Sequence, residues 1–183
     1  MAWVILAIVV VVAVIVIAWL WARMRRTRQL QSRFGSEYDR TVQASSGNSS
    51  QAEAELRERE RRHDHFDIRP LSTESQKAYA TRWREVQARF VDQPATAVGE
   101  ADTLIGEAML ERGYPVEDFD QRAADLSVDH PDVVENYRAA HAIALANSGQ
   151  QASTEDLRQA MVHYRALFER LIGVEEPAKE VRR

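Results

Sequence analysis

The sequence of 183 residues has no cysteine. Disulfide bonds, thiolate nucleophiles and cysteine-ligated zinc sites are therefore excluded. The motifs of several large enzyme classes are also missing: the chain has no Gly-x-x-x-x-Gly-Lys, no Gly-x-Gly-x-x-Gly, no His-Glu-x-x-His and no Gly-x-Ser-x-Gly. These absences argue against the common nucleotide-binding, zinc-protease and esterase functions. We predict no cofactor and no metal site.

Beyond the first 40 residues the sequence has no excess of positive charge. Residues 1–40 carry six arginines and two acidic residues, a net charge of +4, whereas residues 41–183 carry 18 basic and 26 acidic residues, a net charge of −8. Surfaces that bind nucleic acid need a concentrated basic footprint. The acidic body therefore predicts that nucleic acid is not a partner.

Charge is absent altogether from residues 2–22, AWVILAIVVVVAVIVIAWLWA. As a helix these 21 residues would measure about 31 Å, close to the roughly 30 Å hydrocarbon core of a bilayer. Trp3 at one end and Trp19 and Trp21 at the other suit the two membrane interfaces. Since Trp19-Leu20-Trp21 stands where a signal peptide would need small residues for cleavage, we predict an uncleaved transmembrane anchor over 1–22.

A basic cluster follows the apolar run directly, and it consists of Arg23, Arg25, Arg26 and Arg28. By the positive-inside rule it places the following residues in the cytoplasm and the N-terminus outside. We therefore expect a single-pass protein of the inner membrane with the lipid bilayer as a partner. The same arginines suit anionic lipid headgroups, and the sequence does not separate that role from the setting of topology.

Between the anchor and the bundle, the sequence predicts a basic juxtamembrane helix over 23–43 and a flexible and charged linker over 44–69. ASSGNSSQ, at 44–51, is typical of a flexible link. The next segment, AEAELRERERRHDHFD, is rich in Glu-Arg pairs four residues apart and poor in large apolar residues, so we expect a solvent-exposed helix acting as a spacer or a docking arm. His63 and His65 point about 200° apart on such a helix and do not suit one metal ion.

Residues 70–173 are predicted to form an all-α bundle of about five helices, and residues 174–183 a disordered tail. Apolar residues recur at helical spacing in segments that begin near Ser72, Pro94 and Ser153. These three residues suit helix starts, and Gly113 suits a helix end. No strand-like alternation of useful length follows residue 70.

The densest group of reactive side chains is SVDHPDVVENYRAAH, at 127–141. We interpret it chiefly as a helix start, with Ser127 or Asp129 as the cap and Pro131 in the first turn. The weak catalytic candidates are Asp129, His130, His141 and His163. If the hairpin of the last two helices brings His141 and His163 together with a carboxylate, they would form a metal or acid–base site; the alternative is that each is a packing residue.

Four segments resemble a family of small bacterial single-pass membrane-anchored α-helical proteins: RFGSEYDRTV (33–42), DIRPLS (67–72), ERGYPVEDFDQRAADLSVDHPDVVENYRAAH (111–141) and STEDLRQAMVHYRALFERLI (153–172). The chain departs from the family pattern at Ser36 and Thr73, where the family has proline. The resemblance implies an architecture and assigns no reaction, so no catalytic residue is carried over from it.

The leading functional hypothesis is a membrane-tethered helical module that acts by binding a protein partner, as an adaptor or scaffold at the cytoplasmic face. The tether would raise the concentration of the module at the membrane surface. The alternative is an enzyme of unknown reaction that uses Asp129, His130 and Tyr137, or the two inward histidines.

Overall fold

The structure is a computed structural model, and it describes residues 2–115, 118–149 and 151–173, except for the side chains of Ala2 and residues 4–9. Over these ranges it is all-helical, without strands, as the sequence predicted. Its eight helices are α1 (Ala2–Phe34), α2 (Ser36–Ala44), α3 (Ser49–His63), α4 (Thr73–Phe90), α5 (Pro94–Arg112), α6 (Phe119–Asp129), α7 (Val134–Ser148) and α8 (Thr154–Leu171). The predicted disordered tail, 174–183, lies outside the described residues.

The chain forms two compact units, which divide within α3 between Arg57 and Glu58. The sequence had placed the start of the bundle at residue 70. The second unit thus contains the last turns of α3 as well as the five helices α4–α8 that follow residue 70.

The first unit is joined by a buried carboxylate, that of Glu53 on α3. Thr27 on α1 donates a hydrogen bond to its Oε1 over 2.7 Å, and Arg57 forms an ion pair with its Oε2 at 2.8 Å. The hydroxyl of Tyr38 on α2 lies 3.5 Å from the same Oε1. Because a buried carboxylate without partners would be costly, these contacts from three helices favour one arrangement of the unit.

Among the residues that the structure describes, no helix is long and apolar enough to cross a membrane.

The second unit is built on apolar faces whose spacing the sequence shows. On α4, Tyr79, Trp83 and Val86 are buried, and the Trp83 ring stacks on that of Phe168 with centroids 4.6 Å apart. The apolar residues that recur at helical spacing along α5, along α8 and at its C-cap are all buried: Val98, Ala101, Leu104, Ile105, Ala108, Met109, Leu157, Ala160, Met161, Tyr164, Leu167, Phe168, Leu171 and Ile172. Burial of these apolar faces is the main stabilising contribution to the bundle.

The predicted helix ends are confirmed. Ser72 caps α4, and Ser153 forms a capping box with Asp156 at the start of α8. Pro94 opens α5, and Gly113 ends it in the left-handed conformation with φ +98°. A Cβ at Gly113 would lie 2.4 Å from the carbonyl oxygen of Asp67, so both the dihedral angle and the close approach require glycine there.

The prediction that Ser127 or Asp129 caps the next helix is wrong. Both residues lie in the last turns of α6, which runs to Asp129, and His130 is its C-cap. A turn over 131–133 follows, and α7 begins at Val134 with no side-chain cap. The apolar face of α6 continues through Leu126 and Val128, which are buried, and this burial extends the helix beyond the local capping signal.

The expectation of a solvent-exposed α3 is also wrong in part. Ala52 and Leu56, in the first unit, are fully buried, and Arg59, in the second unit, is also buried. In the second unit, Arg59 and Arg62 contact α6. The last turns of α3 therefore belong to the bundle and do not form a detached spacer.

Candidate functional site

Two groups of polar side chains connect helices of the second unit, and the first joins the end of α3 to α6. Asp129 Oδ2 accepts a hydrogen bond from the Tyr114 hydroxyl at 2.7 Å and lies 2.8 Å from His63 Nε2. Burial raises the pKa of Asp129, but the hydrogen bonds from Tyr114 and His63 outweigh it and hold the pKa below its usual range. Burial and the bond to Asp129 raise the pKa of Tyr114, so its hydroxyl remains a donor.

His130 follows directly but faces another partner. Its Nε2 lies 3.4 Å from Arg112 Nη1, and the same nitrogen donates to the carbonyl of Leu171 over 3.1 Å. Burial and the neighbouring Arg112 charge lower the pKa of His130. A neutral imidazole accepting from Arg112 is the arrangement that fits this environment.

An ion pair between the half-buried Arg62 and the buried Asp125 completes this region. The Asp125 side chain is 1% exposed, and its Oδ1 accepts hydrogen bonds from Nε and Nη2 of Arg62, at 3.0 and 2.8 Å. Gln121 donates to the same oxygen over 2.9 Å. We call this set of contacts, Arg62–Asp125 and His63–Asp129–Tyr114, the α3–α6 lock, because it fastens the end of α3 to the bundle.

The second polar group lies where α5, α6, α7 and α8 meet. Tyr164 on α8 donates to Asp102 Oδ1 on α5 over 2.8 Å, and His141 Nδ1 on α7 lies 3.7 Å from the same oxygen. The Phe119 ring on α6 stacks on the His141 ring with centroids 3.6 Å apart and planes 6° apart, and it also packs on Tyr137 at 4.8 Å. These contacts fix the His141 ring beside the Asp102 carboxylate.

Three buried atoms of this second group have no hydrogen-bond partner: Arg122 Nε, Tyr137 Oη and His141 Nδ1. Burial raises the pKa of Tyr137 to about 12, while the Arg122 charge opposes the shift. The Tyr137 hydroxyl is thus protonated at neutral pH. We call Asp102, Arg122, Tyr137, His141 and Tyr164 together the α5–α8 polar cluster.

The predicted meeting of His141 and His163 does not appear in the contacts of either ring. His163 Nδ1 lies 2.8 Å from Asn136 Oδ1, whereas His141 faces Asp102 and Phe119. Within the described residues there is no group of three or more histidine, aspartate or glutamate side chains placed to hold a metal ion. His163 on α8 is thus paired with the side-chain amide of Asn136 on α7.

Four candidate residues could thus be identified from the sequence, but most of the residues that they contact could not. Asp129 and His130 are adjacent in sequence but belong to separate contacts, and His141 joins the α5–α8 polar cluster. The missed residues are His63, Asp102, Arg112, Tyr114, Arg122 and Tyr164. Helical spacing predicted only that Tyr164 faces inward, and it says nothing of Tyr114, which lies outside any helix.

On α1, the aromatic and basic residues of the predicted membrane interface are exposed. The exposed fractions of Trp3, Trp19 and Trp21 are 85%, 59% and 61%. The guanidinium of Arg25 lies 4.5 Å from the centroid of the Trp21 ring, and that of Arg23 lies 5.6 Å from Trp19. Arg26 and Arg28 are exposed without such contacts to a ring.

A groove of about 580 Å³ runs between α4 and α5. Its lining includes Arg82, Glu85, Arg89, Glu100 and Thr103. Arg82 pairs with Glu107 at 2.5 Å and Arg89 pairs with Glu100, and all four side chains are about a third to a half exposed. The groove is thus a surface depression that both signs of charge border and that Val86 and Leu104 also line.

No family model, no curated protein and no solved structure matches this chain. The resemblance to small single-pass bacterial proteins is not tested by these comparisons and stays a prediction.

Proposed function

We propose that the protein is a single-pass membrane-anchored helical module that acts by binding a protein partner at the cytoplasmic face of the inner membrane. The observation that carries the proposal is the exposed apolar surface of α1. From Val10 to Leu20 its large apolar side chains are 47% to 65% exposed. Water-exposed apolar patches of this extent are typical of surfaces that lie against a membrane or a partner.

The sequence on either side of this surface supports a membrane as its environment. The uncharged run begins at Ala2 and so includes residues 4–9, whose side chains lie outside the described part. Tryptophans stand at its two ends, and Arg23 and Arg25 lie against Trp19 and Trp21 at its C-terminal end. Amphipathic aromatic rings with adjacent arginines suit the headgroup level, and the arginines favour the cytoplasmic side.

Binding is favoured over catalysis by the positions of Asp129 and His130. Asp129 Oδ2 is held by Tyr114 and His63, and His130 Nε2 faces Arg112, so both side chains make contacts within the bundle. The α4–α5 groove offers a partner a surface of paired charges instead. Charged residues at the edge of a binding surface contribute more to specificity than to affinity.

Alkaline extraction of membranes tests the anchor. Val14→Arg places a charge near the centre of the apolar run and costs about 2.5 to 3.5 kcal/mol of insertion free energy. Val91→Arg is the matched control, because Val91 is 81% exposed at the end of α4. We expect the wild type and Val91→Arg to stay in the membrane pellet and a larger fraction of Val14→Arg to appear in the supernatant. Equal release of all three would contradict the anchor.

Site-specific crosslinking tests the partner surface. A photoreactive residue at Glu85, which lines the α4–α5 groove, is compared with one at Glu169, an exposed position on α8. The proposal predicts a discrete crosslinked species from Glu85 in native membranes and none from Glu169. Crosslinking from neither position, or from both alike, would exclude the groove as the binding surface.

A further inference from the structure

The α5–α8 polar cluster has more hydrogen-bond donors than the protein satisfies. Five buried side-chain atoms among the described residues have no partner, and three of them belong to Arg122, Tyr137 and His141. A buried polar group without a partner costs on the order of 1 to 3 kcal/mol. Three such groups in one cluster indicate that something besides the chain satisfies them.

Three helices set the positions of these donors. Tyr137 and His141 are one turn apart on α7 and share a face, and Phe119 on α6 packs on both rings. Arg122 is one turn beyond Phe119 on the same helix. A Cβ at Gly106 on α5 would lie 3.3 Å from Arg122 Nη1, so the glycine leaves room for the Arg122 guanidinium.

The chemistry of the three groups is that of an anion site. The Arg122 Nε is a charged donor, and the Tyr137 hydroxyl is a donor because burial keeps it protonated. His141 Nδ1 is too far from Asp102 Oδ1, at 3.7 Å, for a hydrogen bond, and that oxygen already accepts from Tyr164. The ring can thus direct an N–H at a further acceptor beside it.

We propose that Arg122, Tyr137 and His141 bind an anionic oxygen of a small ligand, either a carboxylate or a phosphate group. Charge-assisted bonds from arginine to these groups are among the stronger hydrogen bonds in proteins. Asp102 accepts the hydrogen bond of Tyr164, and its negative charge limits the site to a small group with one anionic oxygen near the Arg122 guanidinium. The site lies within the second unit and does not depend on the membrane anchor.

The experiment is a titration of the full chain, purified in detergent, with sodium acetate and with inorganic phosphate at constant ionic strength. Sodium chloride is the reference for general salt effects. Binding to the folded state raises the Tm in proportion to the logarithm of the anion concentration above its Kd. We expect at least one of the two anions to do so in the wild type, and calorimetric titration gives its Kd.

Two variants locate the site. Arg122→Gln is expected to weaken binding about 10- to 100-fold, and Tyr137→Phe about 3- to 10-fold. Without added anion, Tyr137→Phe is expected to have the same Tm as the wild type or a higher one, because the hydroxyl has no partner there. Tyr79→Phe is the control, since the Tyr79 hydroxyl donates to Glu111 outside the cluster, and its Kd should be that of the wild type.

The proposal is overturned if neither anion raises the Tm beyond the chloride reference, in which case a buried water satisfies the three donors. It is overturned equally if Tyr137→Phe and Tyr79→Phe bind the anion as tightly as the wild type. Tyr137→Phe decides the matter by itself if Arg122→Gln does not fold.

Discussion

Replacing Arg62 by methionine tests whether α3 is fastened to the bundle, as the α3–α6 lock requires. Methionine keeps much of the aliphatic length of arginine but leaves the Asp125 carboxylate, 1% exposed, with Gln121 as its remaining hydrogen-bond donor. Breaking a fully buried ion pair costs about 3 to 5 kcal/mol. Since Arg62 is itself 36% exposed, we expect a smaller loss, about 2 kcal/mol of the free energy of unfolding.

Urea unfolding of the full chain in detergent measures this loss. Trp83 is the one tryptophan of the bundle and packs on Phe168, so its fluorescence reports on the second unit once Trp3, Trp19 and Trp21 are replaced by phenylalanine. The matched control is Arg61→Met on the same helix. Arg61 pairs with Glu58 where both side chains are more than 60% exposed, and its loss should cost less than about 0.5 kcal/mol.

A double-mutant cycle separates the ion pair from the packing of the Arg62 side chain. In an Asp125→Asn background there is no buried charge to leave unpaired, so Arg62→Met should cost less than about 1 kcal/mol there. Equal losses for Arg62→Met and Arg61→Met, or the same loss in both backgrounds, would refute the claim that Asp125 fastens α3.

Three further predictions use the same unfolding assay. Gly113→Ala should lower the free energy of unfolding by more than about 1 kcal/mol, because alanine is strained at φ +98° and its Cβ would meet the Asp67 carbonyl. Gly99→Ala, inside α5 with open space at the Cβ, should raise it by about 0.5 to 1 kcal/mol. Equal effects of the two substitutions would contradict the left-handed end of α5. Ser153→Ala removes the capping box and should lower the free energy of unfolding by about 1 kcal/mol. Ser148→Ala, at an exposed position, should lower it much less. The pKa of His130 is lowered in the folded protein, so on acidification the unfolded chain binds a proton at His130 first, and the free energy of unfolding should fall as the pH drops below about 6.5. His130→Asn should remove this dependence of stability on pH, whereas His65→Asn, at an exposed position, should keep it.

The elements that could be predicted from the sequence are those encoded locally. Pro94 and Gly113 mark the two ends of α5, and Ser153 with Asp156 marks the start of α8, because each makes its contacts within a few residues. The inward faces of both helices also follow from spacing alone.

The two polar groups could not be predicted because their partners are distant in the chain. His63 and Asp129 are 66 residues apart, and Asp102 and Tyr164 are 62 residues apart. No spacing rule relates them, since their meeting depends on how the helices pack. The exposure of α3 was predicted wrongly for the same reason. Its contacts with the bundle are made by Arg59 and Arg62, and charged residues are expected to face solvent when only the hydrophobic pattern is considered.

The start of α7 was misplaced for a different reason. Asp129 and Pro131 are residue types that begin helices, but here Asp129 ends α6 and its carboxylate faces Tyr114 and His63. A local preference worth about 1 kcal/mol is smaller than the burial of the α6 face that carries Leu126 and Val128.

Thiol labelling in cells tests the central proposal, a cytoplasmic module on a membrane anchor, most directly. The chain has no cysteine, so Val91→Cys introduces its only thiol, at an exposed position of the second unit. We predict that the chain fractionates with the inner membrane and that a membrane-impermeant maleimide labels it only after the bilayer is permeabilised. Labelling in intact spheroplasts, or recovery of the chain in the fraction free of membranes, would contradict the proposal.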